Sequence, residues 1–116
     1  MTYELIETSK GTLANTIFSA DEKINDYRSF FDAIMESPSD TTIIEKDIIT
    51  DEFFNLRSGL AGDVLQKVST YSRRLIILGD FSFIESKSLK DFIYESNKTG
   101  KVIFCDTMEK AIELLK

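Results

Sequence analysis

A chain of 116 residues carries 14 Lys and Arg against 20 Asp and Glu, a formal net charge of −6, and no histidine. That length fits one domain spanning residues 1–116, and 42% apolar with 11% aromatic residues suffices for a packed core. Without histidine there is no Ser–His or Cys–His nucleophile pair and no imidazole base. A single cysteine, Cys105, excludes an intrachain disulfide and a cage of cysteines around a metal.

Residues 3–7 and 12–18 read as two strands around a Ser9-Lys10-Gly11 turn, patchily apolar as expected near a sheet edge. Asp21 then caps a helix over about 23–36, whose Ile24, Tyr27, Phe31, Ile34 and Met35 form an i, i+3, i+4 stripe. Pro38, the sole proline, ends it. Residues 42–45 form a third strand, and Thr50 with Asp51 and Glu52 marks a helix start. A helix over 59–71 carries Leu60, Ala61, Val64, Leu65, Val68 and Tyr71 on one face. Gly59 and Gly62 in its opening turn imply a close approach of backbone to something.

The runs Leu75-Ile76-Ile77-Leu78 and Val102-Ile103-Phe104-Cys105 lack alternation, which predicts strands buried on both faces of a mostly parallel sheet. A helix near 88–97, started by Ser86 or Ser88, lies between them, and a last helix begins at Thr107. The order β-β-α-β-α-β-α-β-α predicts an α/β sandwich of one domain.

The acidic balance argues against nucleic-acid binding, which needs a basic stripe to displace counterions. Arg73-Arg74, the densest positive site, reads as a solvated strand entry. No apolar run approaches the ~20 residues of a membrane span. The start, Met1-Thr2-Tyr3-Glu4-Leu5, lacks the regions of a secretory signal. A cytoplasmic protein with neither membrane nor nucleic acid among its partners is expected.

Ligands of open α/β sheets sit beyond the carboxyl ends of the strands, where Asp47, Asp80 and Asp106 fall. Converging carboxylates could hold a hard cation, but Asp106 beside Thr107 and Asp80 after Gly79 also read as cap and turn residues. No metal site and no cofactor are therefore expected. The stretch Leu56-Arg57-Ser58-Gly59-Leu60-Ala61-Gly62 puts a serine and glycines at a helix start, where free N–H groups favour an anion. Ser58 there is either a plain cap or a place for a phosphate to meet the helix dipole. Phe53-Phe54 and Phe81-Ser82-Phe83-Ile84 flank loops, where at least one of each pair either folds back under the adjacent helix or, as with Phe53, Phe81 and Phe83, is a candidate for an interaction surface, with a second copy of the chain among the partners considered. Cys105 reads as inert core packing.

The run from Ile49 to Lys67, with Leu78-Gly79-Asp80-Phe81 and the segment from Ser86 to Asn97, resembles the "domain of unknown function 4180" family of small bacterial proteins. That resemblance spans nearly the whole chain and implies no activity. Strand, loop, Ser58-Gly59-Leu60, amphipathic helix and apolar strand are also similar to the anti-sigma-factor-antagonist (STAS) domain. In that family a serine beside a glycine at this helix start can be phosphorylated by a partner kinase. Ser58 and Gly59 match that pair, while Leu56-Arg57 replaces the family's Asp-Ser.

Two readings follow. The first is a non-enzymatic regulatory or protein-interaction domain of STAS-like fold using Arg57, Ser58, Gly59 and Gly62, with no catalytic residue. The second is a small-ligand or metal-binding protein, or an enzyme, using Asp47, Asp80 and Asp106, with Arg57 and Lys87 toward an anion.

Overall fold

The two unbroken apolar runs become neighbouring strands at one side of a five-stranded sheet in the computed structural model, which describes every residue except Asn25. Strands β1 (Thr2–Thr8) and β2 (Gly11–Ile17) form the opening hairpin, and α1 (Tyr27–Met35) leads to β3 (Thr41–Glu45). Three single-turn 3-10 helices follow, Lys46–Ile48, Asp51–Phe54 and Leu56–Ser58, before α2 (Leu60–Thr70) and β4 (Arg74–Leu78). The chain ends in α3 (Lys87–Thr99), β5 (Val102–Cys105) and α4 (Met108–Leu114).

Strand order in the sheet follows chain order, β1 to β5. β2, β3, β4 and β5 run parallel, whereas β1 is antiparallel to β2, so the sheet is mixed. Crossovers of one hand that all step the same way deposit their helices on one side of a sheet. Accordingly α1, α2 and α3 share a face, packing Phe30, Val64 and Phe92 against Ile44, Ile77 and Phe104. α4 lies on the opposite face, where Ala111 and Leu115 cover Leu13, Ile43, Ile76 and Ile103. Alternation along each strand thus feeds two cores, which explains why the runs are apolar without interruption.

Local chemistry moves some expected boundaries. α1 starts at Tyr27 with Asp26 as its N-cap in a capping box with Ser29, not at residue 23 with Asp21. Ile24 instead bridges to Ile49 in extended form, its N–H donating to the Ile48 carbonyl at 2.9 Å. Asn25, within the expected helix, lies outside the described residues. Thr50 precedes only the single turn Asp51–Phe54, while Ser86 and Thr107 cap α3 and α4 through their hydroxyls.

Arg73 and Arg74 are not a solvated entry. Arg74 donates from Nε to Thr41 Oγ1 at 2.7 Å and from Nη2 to the Lys10 carbonyl at 2.8 Å. Arg73 donates to the Ser39 carbonyl at 3.2 Å. Both guanidinium groups tie loops together at the amino end of the parallel strands. Among the described residues no helix is long and apolar enough to cross a membrane.

Candidate functional site

Parallel pairing of β2 to β5 brings the carboxyl ends of those strands to one margin of the sheet. Gly79, the first residue after β4, is where backbone approaches closely. A Cβ there would lie 2.5 Å from the Cβ of Lys46, which follows β3. Lys46 passes over the glycine and sets its ammonium 4.7 Å from the centroid of Phe83. Phe83 is 54% exposed. Its ring meets Phe54 at 6.3 Å, Phe54 meets Phe81 at 6.0 Å, and Phe81 meets the buried Phe104 at 5.7 Å. An aromatic chain therefore runs from the core to the surface, with a cation on its outer ring.

Phe54 divides two open clefts. One of about 670 Å³ is lined by Lys23, Lys46, Asp47, Asp51 and Phe83. The other, about 550 Å³, is lined by Asn55, Arg57, Ser86, Ser88 and Leu89. Phe53, expected at the surface, is a core residue at 1% exposure, its ring tilted against that of Phe30 with centroids 4.9 Å apart. A single 3-10 turn points neighbours in different directions, so Phe54 takes the outer place that Phe53 was given. Phe81 is half-buried behind it.

Ser58 closes the last 3-10 turn and is exposed. Its hydroxyl donates to the Glu52 carbonyl at 2.9 Å and accepts from the Leu60 N–H at 3.2 Å. The N-cap of α2 is Gly59, whose φ of 78° is left-handed and suits glycine. The close approach expected at Gly59 and Gly62 is absent, because a Cβ at either position meets nothing within 4 Å. Arg57 is exposed beside Ser58.

The three strand-end acids do not share one site. Asp80 and Asp106 line a cleft of about 380 Å³ with Asn97, Cys105 and Lys110, whereas Asp47 lines the Lys46–Phe83 cleft. Asp80 accepts from the Ser82 N–H at 2.9 Å, and its hydrogen bonds to Ser82 hold its carboxyl below the usual range. Asp106 accepts from Lys110 Nζ at 2.9 Å, which lowers it in the same sense while the neighbouring Asp80 charge opposes. Cys105 is buried, and burial pushes its thiol above the ordinary value, so the thiolate is disfavoured. Among the described residues no group of three or more His, Cys, Asp or Glu could hold a metal ion. Lys87, suggested for an anion, pairs with Asp91 at 2.8 Å on the exposed side of α3.

Lys46 has no signal of its own in the sequence, whereas Phe54 belongs to the Phe53-Phe54 pair of which one ring was expected to fold back, and Phe53 is that ring. The one available signal was Gly79 after an apolar strand, which marks a close approach without saying of what.

A mixed five-stranded sheet with three helices on one face and one on the other makes this a small α/β domain. The model of the family described as "Domain of unknown function (DUF4180)" matches residues 10–115, and the chain belongs to that family. Neither a curated protein nor a solved structure shows a significant match to the chain.

Proposed function

We propose that the protein is a non-enzymatic, STAS-like interaction domain whose docking surface is the Phe54–Phe83–Lys46 platform, and that modification of Ser58 regulates it. The observation that carries this reading is the hydrogen bond from Ser58 Oγ to the Glu52 carbonyl, two residues before Phe54 in the same 3-10 turn. A phosphoester at Ser58 has no hydroxyl proton, so it would abolish that bond. It would also bring a charge of about −1.5 to −2 to the amino end of α2. The turn that aims Phe54 would lose a tether at the moment the adjacent surface changed charge. Arg57, exposed beside the serine, could pair with the added phosphate.

Support for a non-enzymatic role comes from the acids. Asp80 is engaged by Ser82 and Asp106 by Lys110, and Asp47 lines a different cleft. Acid–base catalysis needs a base within hydrogen-bond reach of a bound substrate, and both shared-cleft carboxylates already have local partners.

The test compares affinity capture from native lysate by wild-type protein, Ser58→Glu, Ser58→Ala and Phe83→Ala, read by mass spectrometry. The reading expects one species to be held by wild type, lost with Ser58→Glu and Phe83→Ala, and retained at least in part by Ser58→Ala. Identical capture profiles for wild type and Ser58→Glu would overturn the switch, and identical profiles for Phe83→Ala would overturn the platform.

A further inference from the structure

The two edges of the sheet are finished differently. On β5 the side chains of α3 occupy the outer backbone groups. Ser96 Oγ donates to the Val102 carbonyl at 2.6 Å, and the Asn97 amide both donates to the Phe104 carbonyl at 3.0 Å and accepts from its N–H at 2.7 Å. On β1, among the described residues, no loop, helix or side chain hydrogen-bonds to the backbone, whose ladder is made with β2 alone. Alternate residues of the seven-residue strand, Tyr3, Leu5 and Glu7, thus turn free donors and acceptors outward.

We propose that this edge is a homotypic interface in which β1 of one copy pairs antiparallel with β1 of a second copy about Leu5. Leu5 lies at the middle of the strand and is 56% exposed, and the neighbouring Met1 and Ile17 are 40% and 46% exposed. Natural edge strands usually carry lysine, proline or a bulge that discourages pairing. β1 has none of the first two, and its register with β2 is unbroken from Thr2 to Thr8.

Charge narrows the choice of occupant and register. β1 contains Glu4 and Glu7 and no basic residue. Parallel in-register stacking would set each glutamate against its own copy, a repulsive arrangement. Antiparallel pairing about Leu5 sets Glu4 opposite Ile6 and Glu7 opposite Tyr3 of the second copy, with Thr2 opposite Thr8. Leu5 then meets Leu5 on the same side of the joined sheet. No carboxylates oppose each other in that register, whereas shifting the centre to Glu4 or Glu7, or midway between Leu5 and Ile6, brings them face to face.

Directly opposed residues of antiparallel strands have Cα atoms about 4.5–5.5 Å apart, within disulfide range. The experiment places the sole thiol at position 5, Leu5→Cys with Cys105→Ala, and compares it with Glu7→Cys in the same background under mild oxidation. A covalent dimer at position 5, with little at position 7, is expected. No dimer at position 5, or equal dimer at both, would overturn the proposal, the latter indicating random collision or a different strand as occupant. Sedimentation of the unmodified chain over a concentration series provides the second readout. It should show dimer that Leu5→Glu converts to monomer with an unchanged circular dichroism spectrum. Wild type remaining monomeric throughout would overturn the proposal regardless of how the cysteine variants fold. Ser58→Glu and Phe83→Ala should leave the dimer intact, which separates this interface from the platform.

Discussion

Asn97 serves Phe104 as a substitute neighbouring strand, its amide donating to the Phe104 carbonyl at 3.0 Å and accepting from the Phe104 N–H at 2.7 Å. One side chain thereby satisfies both outward backbone groups of a residue at the heart of the aromatic chain. Asn97→Ala leaves both groups unpaired at a part-buried position and is expected to cost about 1–3 kcal/mol. Asn97→Asp keeps an acceptor but sets a carboxylate against the carbonyl, so it should not rescue stability. Chemical denaturation of the two variants checks this, and an unperturbed midpoint for Asn97→Ala would show that water replaces the amide.

Glycine substitutions separate backbone freedom from close approach. Gly62 is exposed within α2, and a Cβ there meets nothing within 4 Å. Gly62→Ala should raise stability by about 0.5–1 kcal/mol, because alanine loses less chain entropy in a helix. Gly79→Ala forces its Cβ against the Cβ of Lys46, which cannot swing aside as a side-chain tip could. A loss of about 1–3 kcal/mol is expected. Thermal unfolding of the pair should move in opposite directions, and a destabilised Gly62→Ala would refute the open-space reading.

The same two glycines show where the sequence was legible. Runs such as Leu75-Ile76-Ile77-Leu78 encode their own burial, so the number and order of strands and helices could be read directly. Contacts between distant segments could not. Gly62 looked like a close approach by its spacing, whereas Gly79 is one, because Lys46 arrives from the preceding strand. Asp21 and Asp26 are comparable caps by residue type, and the pairing of Ile24 with Ile49 decides between them. Phe53 and Phe54 are adjacent and alike, and only the 3-10 turn sends one inward. Strand order, which no local pattern carries, puts Asp80 and Asp106 in one cleft and Asp47 in another.

Acid should weaken the amino-terminal strand region through Glu22. The Ser19 backbone N–H, the terminal ammonium at 3.1 Å and the Ser19 hydroxyl bring its carboxyl from 4.5 down to about 2. A folded pKa below the unfolded one means the contribution is complete above pH 4.5 and is lost as pH falls toward 2. Asp26, Asp80 and Asp106, also lowered by their hydrogen bonds, add to this limb. Glu22→Gln should flatten the dependence of the denaturation midpoint on pH in that window, and an unchanged slope would remove Glu22 as a contributor.

The alkaline limb has a different source. Tyr3 donates its phenol to the Ala33 carbonyl at 2.7 Å, tying β1 to α1. Burial, aided by the Glu36 charge, pushes its pKa from 10.0 up to about 12. The folded state therefore holds a proton that the unfolded chain releases, so stability is lost as pH rises from 10 toward 12. Tyr3→Phe should lower stability by about 1 kcal/mol near neutrality and abolish this phenol's alkaline dependence. Absorbance titration at the phenolate band should show one of the four tyrosines ionising late, and its persistence in Tyr3→Phe would assign the shift elsewhere.

Phe53 and Phe83 form the sharpest contrast along the aromatic chain. Phe53 is 1% exposed and touches Phe30, Phe54 and Phe104, so Phe53→Ala removes a ring from the centre of the larger core. A loss of about 3–5 kcal/mol is expected, the cavity adding to the transfer cost. Phe83 is 54% exposed, packed on Phe54 and capped by Lys46. Phe83→Ala gives up part of one ring contact and an exposed cation–π pair worth about 0.5–1 kcal/mol, so the fold should lose little more than that. Denaturation curves for both variants, set beside their capture profiles, place the two rings on opposite sides of the boundary between core and surface. Comparable destabilisation by both would mean that Phe83 is part of the core and that the platform is not free to receive a partner.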